Sequence, residues 1–144
     1  MLTPESANTT KARILVVEDE SIVRLDIENT LKERGHSVVA SCASGEEAVE
    51  LCDEHRPQVV LMDIALSGGL SGIDAAKQIR ERTGSAVVFL TANSDKVTVS
   101  RARTAVPYGY VIKPFRPVDL MVAIEMAMHN HGKDSTVRRE RDDL

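Results

Sequence analysis

The chain has 144 residues, a formal net charge of -4 at pH 7 and 42% hydrophobic residues. This size and hydrophobic content fit one domain with a buried core and short tails. The acidic balance, together with only two Tyr and two Phe, argues against a nucleic-acid-binding surface, which needs a basic patch or exposed stacking rings.

The amino end and the cysteines both predict a cytoplasmic protein. Residues 1–11 are polar and lack the apolar core of a signal peptide, and no apolar run approaches the ~18 residues that span a bilayer. Cys42 and Cys52 are too few for a disulfide framework, so we expect free thiols. The expected organisation is a flexible leader at 1–11, one domain at 12–130 and a charged tail at 131–144.

Five short apolar runs predict five strands. The first, at 13–17, is apolar after its opening Arg, as is typical of a strand buried on both faces of a parallel sheet. The other runs lie at 37–41, 58–62, 86–90 and 108–112. Helix-like stretches separate the runs, and this alternation indicates an α/β fold with a parallel sheet.

Capping signals place the first three helices. Apolar residues at helical spacing fill 20–34, and Gly35 follows as a C-terminal cap. Ser44 and Glu47 form a capping box for the second helix, and Ser71 begins the third.

The last two helices carry weaker signals. Residues 93–104 contain three consecutive β-branched residues, so we expect the fourth helix to be short or mobile. Pro117 suits the first turn of the fifth helix, and Gly132 is expected to end it. The charged residues beyond Gly132 either fray or extend that helix.

Charged and hydroxyl side chains follow the predicted strands. In an open parallel sheet, ligands bind at the carboxyl ends of the strands. A strand order of 2-1-3-4-5 would bring these ends to one crevice. The residues concerned are Glu18 and Asp19 after the first strand, Asp63 after the third, Thr91 and Ala92 after the fourth, and Lys113 after the fifth.

Three carboxylates in one crevice require a cation. Each pair at ~4 Å costs about 4 kcal/mol at an effective dielectric of about 20. Mg²⁺ is favoured because it takes few carboxylates, keeps several waters and binds phosphate oxygens. Lys113 adds a positive charge and Thr91 a donor, which together match a phosphoryl group. Each residue alone also fits a polar turn, a cap or a solvated charge; the joint placement favours a site.

These residues and their spacing resemble the response-regulator receiver domain of two-component signalling, over residues 12–130. The resemblance implies a flavodoxin-like, doubly wound sheet of five parallel strands in the order 2-1-3-4-5, with five helices. It also implies a phosphoacceptor, not an enzyme, that receives its phosphoryl group from a histidine kinase or a histidine phosphotransfer protein. The matching motifs are Glu18-Asp19, Asp63, Thr91-Ala92 and Lys113-Pro114-Phe115.

The resemblance gives the acidic residues their roles. Asp63 would be the nucleophile that attacks a phosphohistidine and becomes an aspartyl phosphate. Asp19, Asp63 and the backbone carbonyl of Ala65 would bind Mg²⁺ directly. Glu18 would act mostly through a metal-bound water.

It also gives roles to the residues around the phosphoryl group. Lys113 and Ala92 would contact phosphoryl oxygens. Thr91 would hydrogen-bond another oxygen and move on activation, and Tyr110 would be the aromatic switch residue behind it. A cis peptide bond is expected between Lys113 and Pro114.

Two segments depart from the family pattern. Ser67 stands where the family usually has Pro, in a loop that is one residue longer, and Val106-Pro107 replaces a usual Gly-Ala. Both lie on the surface expected to change on activation, so the partner stays open. Ala65 and Asn93 flank the path of an attacking water, and we predict slow self-dephosphorylation.

Two alternatives come from other functional classes. One is a Mg²⁺-dependent phosphatase, but such enzymes place a second Asp two residues after the nucleophile, where this chain has Ala65. The other is an interaction module that signals without phosphate. Its expected mark is a missing acceptor or Lys, whereas Asp63 and Lys113 are both present.

Output is expected through protein contacts, because no DNA-binding or enzymatic domain follows residue 130. Several apolar side chains of the fifth helix lie outside its core stripe and predict a docking or dimer surface, formed with the fourth helix and fifth strand. The alternative is that neighbouring loops cover them. These side chains are Val118, Met121, Val122 and Met126.

Overall fold

The computed structural model describes residues 11–92 and 96–142. The strands within these residues are β1 (Arg13–Val17), β2 (Ser37–Cys42), β3 (Val59–Asp63), β4 (Ala86–Ala92) and β5 (Gly109–Lys113). The helices are α1 (Ser21–Glu33), α2 (Gly45–His55), α3 (Gly72–Arg82), α4 (Lys96–Ala102) and α5 (Pro117–Asp142). A single 3₁₀ turn, Arg103–Ala105, follows α4.

All five strands form one parallel sheet in the order β2-β1-β3-β4-β5. The predicted fold is therefore confirmed. Alternate residues of the central strands point to opposite faces, so Leu15 and Val17 lie in one apolar cluster while Ile14 and Val16 lie in the other. Helices α2, α3 and α4 cover the first face, and α1 and α5 cover the second.

Four strands end later than their apolar runs predicted, and β2 does so by one residue, Cys42. β3 includes Asp63, which pairs with Leu90, and β4 and β5 continue to the pair Ala92 and Lys113. Backbone pairing does not depend on side-chain polarity, so the ladder extends into polar residues that the hydrophobic pattern excludes. The polar residues are thus held by the sheet itself.

The predicted helix starts are confirmed by their capping bonds. The Ser44 hydroxyl accepts a hydrogen bond from the N–H of Glu47, and the Ser71 hydroxyl accepts one from the N–H of Asp74. Gly35 has φ of +89°, the left-handed conformation expected just after a helix.

The predicted stop of α5 at Gly132 is wrong, because the helix runs on to Asp142. The alternative that the charged residues after Gly132 extend the helix is confirmed. A glycine inside a helix costs only about 1 kcal/mol relative to alanine, which does not force a helix to end. Helix α4 has seven residues and is short, as predicted.

Cys42 and Cys52 are free and buried in the core, as expected. Burial raises the pKa of the Cys42 thiol to about 11 and that of Cys52 to about 12, so both stay protonated at neutral pH. In the part of the chain that the structure describes, no helix combines the length and apolar character needed to cross a bilayer.

Candidate functional site

Three carboxylates meet at the carboxyl end of the sheet. Glu18 and Asp19 directly follow β1, and Asp63 ends the neighbouring strand β3. Each offers one oxygen, and these three oxygens lie within 4.8 Å of one another. Glu18 is 0% exposed and Asp63 is 4% exposed. The structure therefore brings together the three acids that the sequence placed at separate strand ends.

Lys113, the last residue of β5, reaches this acidic cluster of Glu18, Asp19 and Asp63. Its Nζ lies 2.7 Å from Glu18 Oε1 and 3.5 Å from Asp63 Oδ2. One ammonium opposes three carboxylates, so the fully ionised cluster keeps an excess of negative charge. An all-oxygen set of this kind suits a hard divalent cation such as Mg²⁺.

The surroundings of Glu18 and Lys113 shift the pKa of both groups. Burial and the hydrogen bond with Asp63 raise the pKa of Glu18 to about 7, against the opposing effect of Lys113. Burial alone would lower the pKa of Lys113, but the Glu18 hydrogen bond and both nearby carboxylates outweigh it and raise that pKa. Lys113 therefore stays charged at neutral pH, whereas Glu18 holds a proton part of the time.

Asp19 is held differently from the other two acids. It is only partly buried, and Ser67 donates two hydrogen bonds to its Oδ2, from the backbone N at 3.2 Å and from Oγ at 2.9 Å. Burial alone would raise the pKa of Asp19, but the hydrogen bonds from Ser67 and Glu18 favour the carboxylate, and the pKa lies below its usual value.

The backbone around Asp63 is closely packed. The N–H of Ala65 donates a hydrogen bond of 2.9 Å to Asp63 Oδ1. The first residue of α3, Gly72, lies so close that a Cβ there would overlap the Asp63 carbonyl oxygen. The Ala65 side chain is exposed and small, so it does not shield the carboxylate.

The remaining predicted site residues lie at the same edge of the sheet. Thr91 is 5% exposed, and its hydroxyl donates to the carbonyl oxygen of Ala92 at 3.3 Å. Ala92 is exposed and pairs in register with Lys113. The predicted cis peptide bond between Lys113 and Pro114 is confirmed.

Tyr110 lies on β5, one strand from Thr91, and its ring packs 6.1 Å from that of Phe89. Its hydroxyl is buried and has no hydrogen-bond partner among the described residues. Leaving a buried hydroxyl without a hydrogen bond is energetically costly. Asn93, the other predicted neighbour of the acceptor, lies outside the described residues.

Sequence reasoning missed two contacts of the loop between β3 and α3. Ser67 binds Asp19, and Glu46 of α2 accepts a hydrogen bond from the N–H of Leu70. The signal for the first was a hydroxyl residue at the position where the sequence departs from its family pattern. No local pattern indicated the second, because Glu46 lies 24 residues from Leu70.

Known proteins include regulators that are similar to this chain in sequence. The chain is 41% identical over 116 residues to the transcriptional regulatory protein PdtaR of Mycobacterium tuberculosis, covering 81% of this chain and 56% of PdtaR. It is 32% identical over 137 residues to the phyllosphere-induced regulator PhyR of Methylorubrum extorquens, covering 94% of this chain and 50% of PhyR. The chain thus spans about half the length of the curated relatives it matches.

A solved structure agrees in fold as well as sequence. The signal receiver domain of a modulated diguanylate cyclase from Desulfovibrio desulfuricans G20 superposes with a TM-score of 0.82 at 31% identity, covering 87% of this chain and 99% of that domain. The sequence pattern of the response regulator receiver domain matches residues 14–125, which include the acidic cluster and Lys113. The chain belongs to the response regulator receiver domain family.

Proposed function

We propose that this chain is a Mg²⁺-dependent phosphoacceptor that takes a phosphoryl group from a phosphohistidine onto Asp63 and thereby controls a protein partner. The observation that carries the proposal is the position of the Asp63 carboxylate. It lies within 4.8 Å of two further carboxylates and 3.5 Å from the Lys113 ammonium. Family membership supports the same reading.

The oxygen donors fit a magnesium ion. Asp19, Asp63 and the carbonyl of Ala65 would bind it directly, and Glu18 would act mostly through a metal-bound water. When bound, Mg²⁺ would neutralise the carboxylates and draw charge from the phosphoryl oxygens. Glu18 and Asp63 are too buried for bulk water to hydrate and screen their charges. This favours a bound ion over a cluster balanced by solvent alone.

The proposed transfer is a single displacement at phosphorus. A carboxylate oxygen of Asp63 attacks, a P–O bond forms, and the P–N bond to the donor histidine breaks. The imidazole leaves with the electron pair of that bond. It leaves as the neutral ring if its other nitrogen already carries a proton, and otherwise takes up a proton from solvent. Lys113 balances negative charge on the transferred group, and Ala92, at the exposed end of β4, offers a further contact to it.

Phosphorylation would bias a two-state element that includes Thr91 and Tyr110. The Thr91 hydroxyl now donates to the Ala92 carbonyl over a long 3.3 Å bond. Donation to a phosphoryl oxygen would be stronger, because that oxygen is charged. Movement of Thr91 would alter the space beside Tyr110, whose buried hydroxyl lacks a partner among the described residues.

The expected output surface is the α5 face, which we define as Ile112, Val118, Val122 and Met126. Met121, which was also expected there, is instead partly buried against the core. The four side chains of the α5 face are between 47% and 57% exposed, so neighbouring described residues do not cover them. Their contiguity on β5 and α5 favours a homodimer or a downstream protein target. We propose a histidine kinase or histidine phosphotransfer protein as donor, no nucleic-acid contact and a cytoplasmic location.

The test is intact-protein mass spectrometry after incubation with acetyl phosphate. The wild type should gain one phosphoryl group with Mg²⁺ and none with excess EDTA. Asp63→Ala should gain none, while Asp26→Asn, at an exposed position of α1, should behave as the wild type. Absence of any wild-type adduct would favour the phosphate-independent interaction module. Many turnovers on a phosphomonoester would favour the phosphatase.

A further inference from the structure

The loop that joins β3 to α3, residues 64–71, donates hydrogen bonds to two carboxylates from other parts of the chain. Ser67 donates from its N–H and its hydroxyl to Asp19 Oδ2, at 3.2 and 2.9 Å. The N–H of Leu70 donates to Glu46 Oε1. Of the two acceptors, Asp19 belongs to the acidic cluster and Glu46 does not.

We propose that Ser67 is a positioning residue for Asp19, fixing the direction in which that carboxylate meets Mg²⁺. The inference rests on the proposed function because it concerns the same metal site. It goes further by assigning a role in metal binding to a residue that is not itself a ligand.

Asp19 needs such a partner more than the other two acids. Glu18 and Asp63 are enclosed by the core and paired with Lys113, so packing fixes their side chains. Asp19 is only partly buried. A side chain free to rotate must be ordered when it binds a metal, and ordering it beforehand improves affinity.

The geometry of the two bonds suits this role. Both go to Oδ2, so Oδ1 carries neither of them. Two donors on one oxygen, one of them from the backbone, restrict rotation of the whole carboxylate. Ser67 and Asp19 are 48 residues apart in the sequence. Their contact therefore depends on how the end of β1 packs against the 64–71 loop and is not part of a local turn.

Two effects of these bonds oppose each other. Hydrogen bonds draw electron density from the carboxylate and weaken its attraction to a cation, whereas a fixed orientation strengthens binding. Orientation should prevail, because Mg²⁺ demands near-ideal octahedral geometry. Loss of hydrogen bonds to metal ligands typically costs 10–100-fold in affinity.

The arrangement depends on the residue type at position 67. A proline would have no N–H and no hydroxyl, and could donate neither bond. The next two residues, Gly68 and Gly69, have φ of +71° and +43°, a left-handed conformation that glycine adopts without steric cost. At Gly69 a Cβ would overlap the Glu46 carboxylate.

The test is a Mg²⁺ titration of the unphosphorylated full chain, followed by amide chemical shifts in ¹H–¹⁵N NMR spectra. We expect Ser67→Ala to raise the dissociation constant about tenfold, and Ser67→Thr, which keeps both donors, to stay within about twofold of the wild type. The matched control is Glu46→Gln, which weakens the hydrogen bond from Leu70 in the same loop. Its dissociation constant for Mg²⁺ should also stay within about twofold of the wild type.

A second readout does not involve metal. In Mg²⁺-free protein, Asp19→Asn should shift the amide proton of Ser67 upfield, because a neutral acceptor forms a weaker hydrogen bond than a charged one. Ser67 is exposed, so Ser67→Ala should fold, with a melting temperature close to that of the wild type.

The outcomes separate this inference from the proposed function. If the wild type binds Mg²⁺ and Ser67→Ala binds it equally well or more tightly, the inference is overturned and the metal site stands. Equal weakening by Glu46→Gln would also overturn it, because general loop integrity would then explain the effect. A wild type that binds no Mg²⁺ would overturn both.

Discussion

The inner and outer halves of the acidic cluster are held by different forces. Glu18, Asp63 and Lys113 form the inner half, in which two nearly inaccessible carboxylates share one ammonium. Asp19 forms the outer half with the exposed Ser67, which donates hydrogen bonds to it but carries no charge. The inner half is thus set by desolvation and charge, and the outer half by orientation. Substitutions should affect stability in the first and metal affinity in the second.

The largest expected effect follows removal of the ammonium. Lys113→Ala leaves two buried carboxylates without their counter-ion and should lower the free energy of unfolding by about 3 kcal/mol in Mg²⁺-free buffer. Urea titration measures it, and Mg²⁺ should restore part of the loss. Lys32→Ala, at an exposed position of α1, is the control. Equal stabilities for the two variants would mean that the inner half does not depend on charge.

The next effect concerns pH. The pKa of Glu18 is raised to about 7 from an ordinary 4.5, so the folded state holds the proton more tightly than the unfolded state. This contribution to stability is fully present below pH 4.5 and is lost as pH rises through about 7. Mg²⁺-free protein should therefore become less stable between pH 5 and 8, as measured by urea unfolding at each pH.

Glu18→Gln supplies the control for this pH dependence, because its side chain cannot ionise. The variant should show a flatter stability profile over the same range. Mg²⁺ affinity of the wild type should rise across it, since the ion displaces the proton from Glu18. A wild-type profile as flat as that of Glu18→Gln would show that burial does not perturb this carboxyl.

A smaller effect on stability is expected from the two glycines that follow Ser67 in the 64–71 loop. Gly69→Ala must keep a left-handed backbone and also displace the Glu46 carboxylate, so it should cost about 1–2 kcal/mol. Gly68→Ala is the matched control: it carries the same backbone strain, but its Cβ would meet nothing within 4 Å. Chemical denaturation compares the two, and a Gly68→Ala loss as large as that of Gly69→Ala would remove Glu46 from the explanation.

The smallest effect on stability should come from Asp19→Asn. The side chain is partly exposed and an amide still accepts from Ser67, so the free energy of unfolding should change by less than about 0.5 kcal/mol. Mg²⁺ affinity should nevertheless fall about tenfold or more, because a charged ligand is lost. Differential scanning calorimetry and metal titration give the two values. A large stability change would place Asp19 with the inner half.

The meeting of the acidic residues could be predicted because two patterns agreed. Apolar runs fixed where the strands lie, and the strand order then determined which strand ends are neighbours. Glu18 and Asp63 are far apart in sequence yet meet because β1 pairs with β3. That reasoning requires the position of each residue relative to its strand, which the hydrophobic pattern encodes well, and the strand order, which the family resemblance implies.

What could not be predicted depends on contacts between elements. The pKa of Glu18 follows from its depth below the surface, and the bond from Ser67 to Asp19 follows from the path of a loop. The pKa shift has no local sequence signal, and the only signal for the Ser67 bond is a hydroxyl residue where the sequence departs from its family pattern. The continuation of α5 beyond Gly132 was left as one of two alternatives, because glycine often follows a helix end but does not prevent a helix from continuing.

The length of α5 has a mechanical consequence. Its base carries Leu120 and Ile124, which are fixed in the core, and its backbone runs as one helix to Asp142. At a rise of 1.5 Å per residue, the ten residues after Gly132 extend it by about 15 Å. A tilt of a few degrees at the buried base would therefore be amplified at the tip, as in a lever. Motion too small to alter the packing of the sheet would become a displacement that a bound protein could detect.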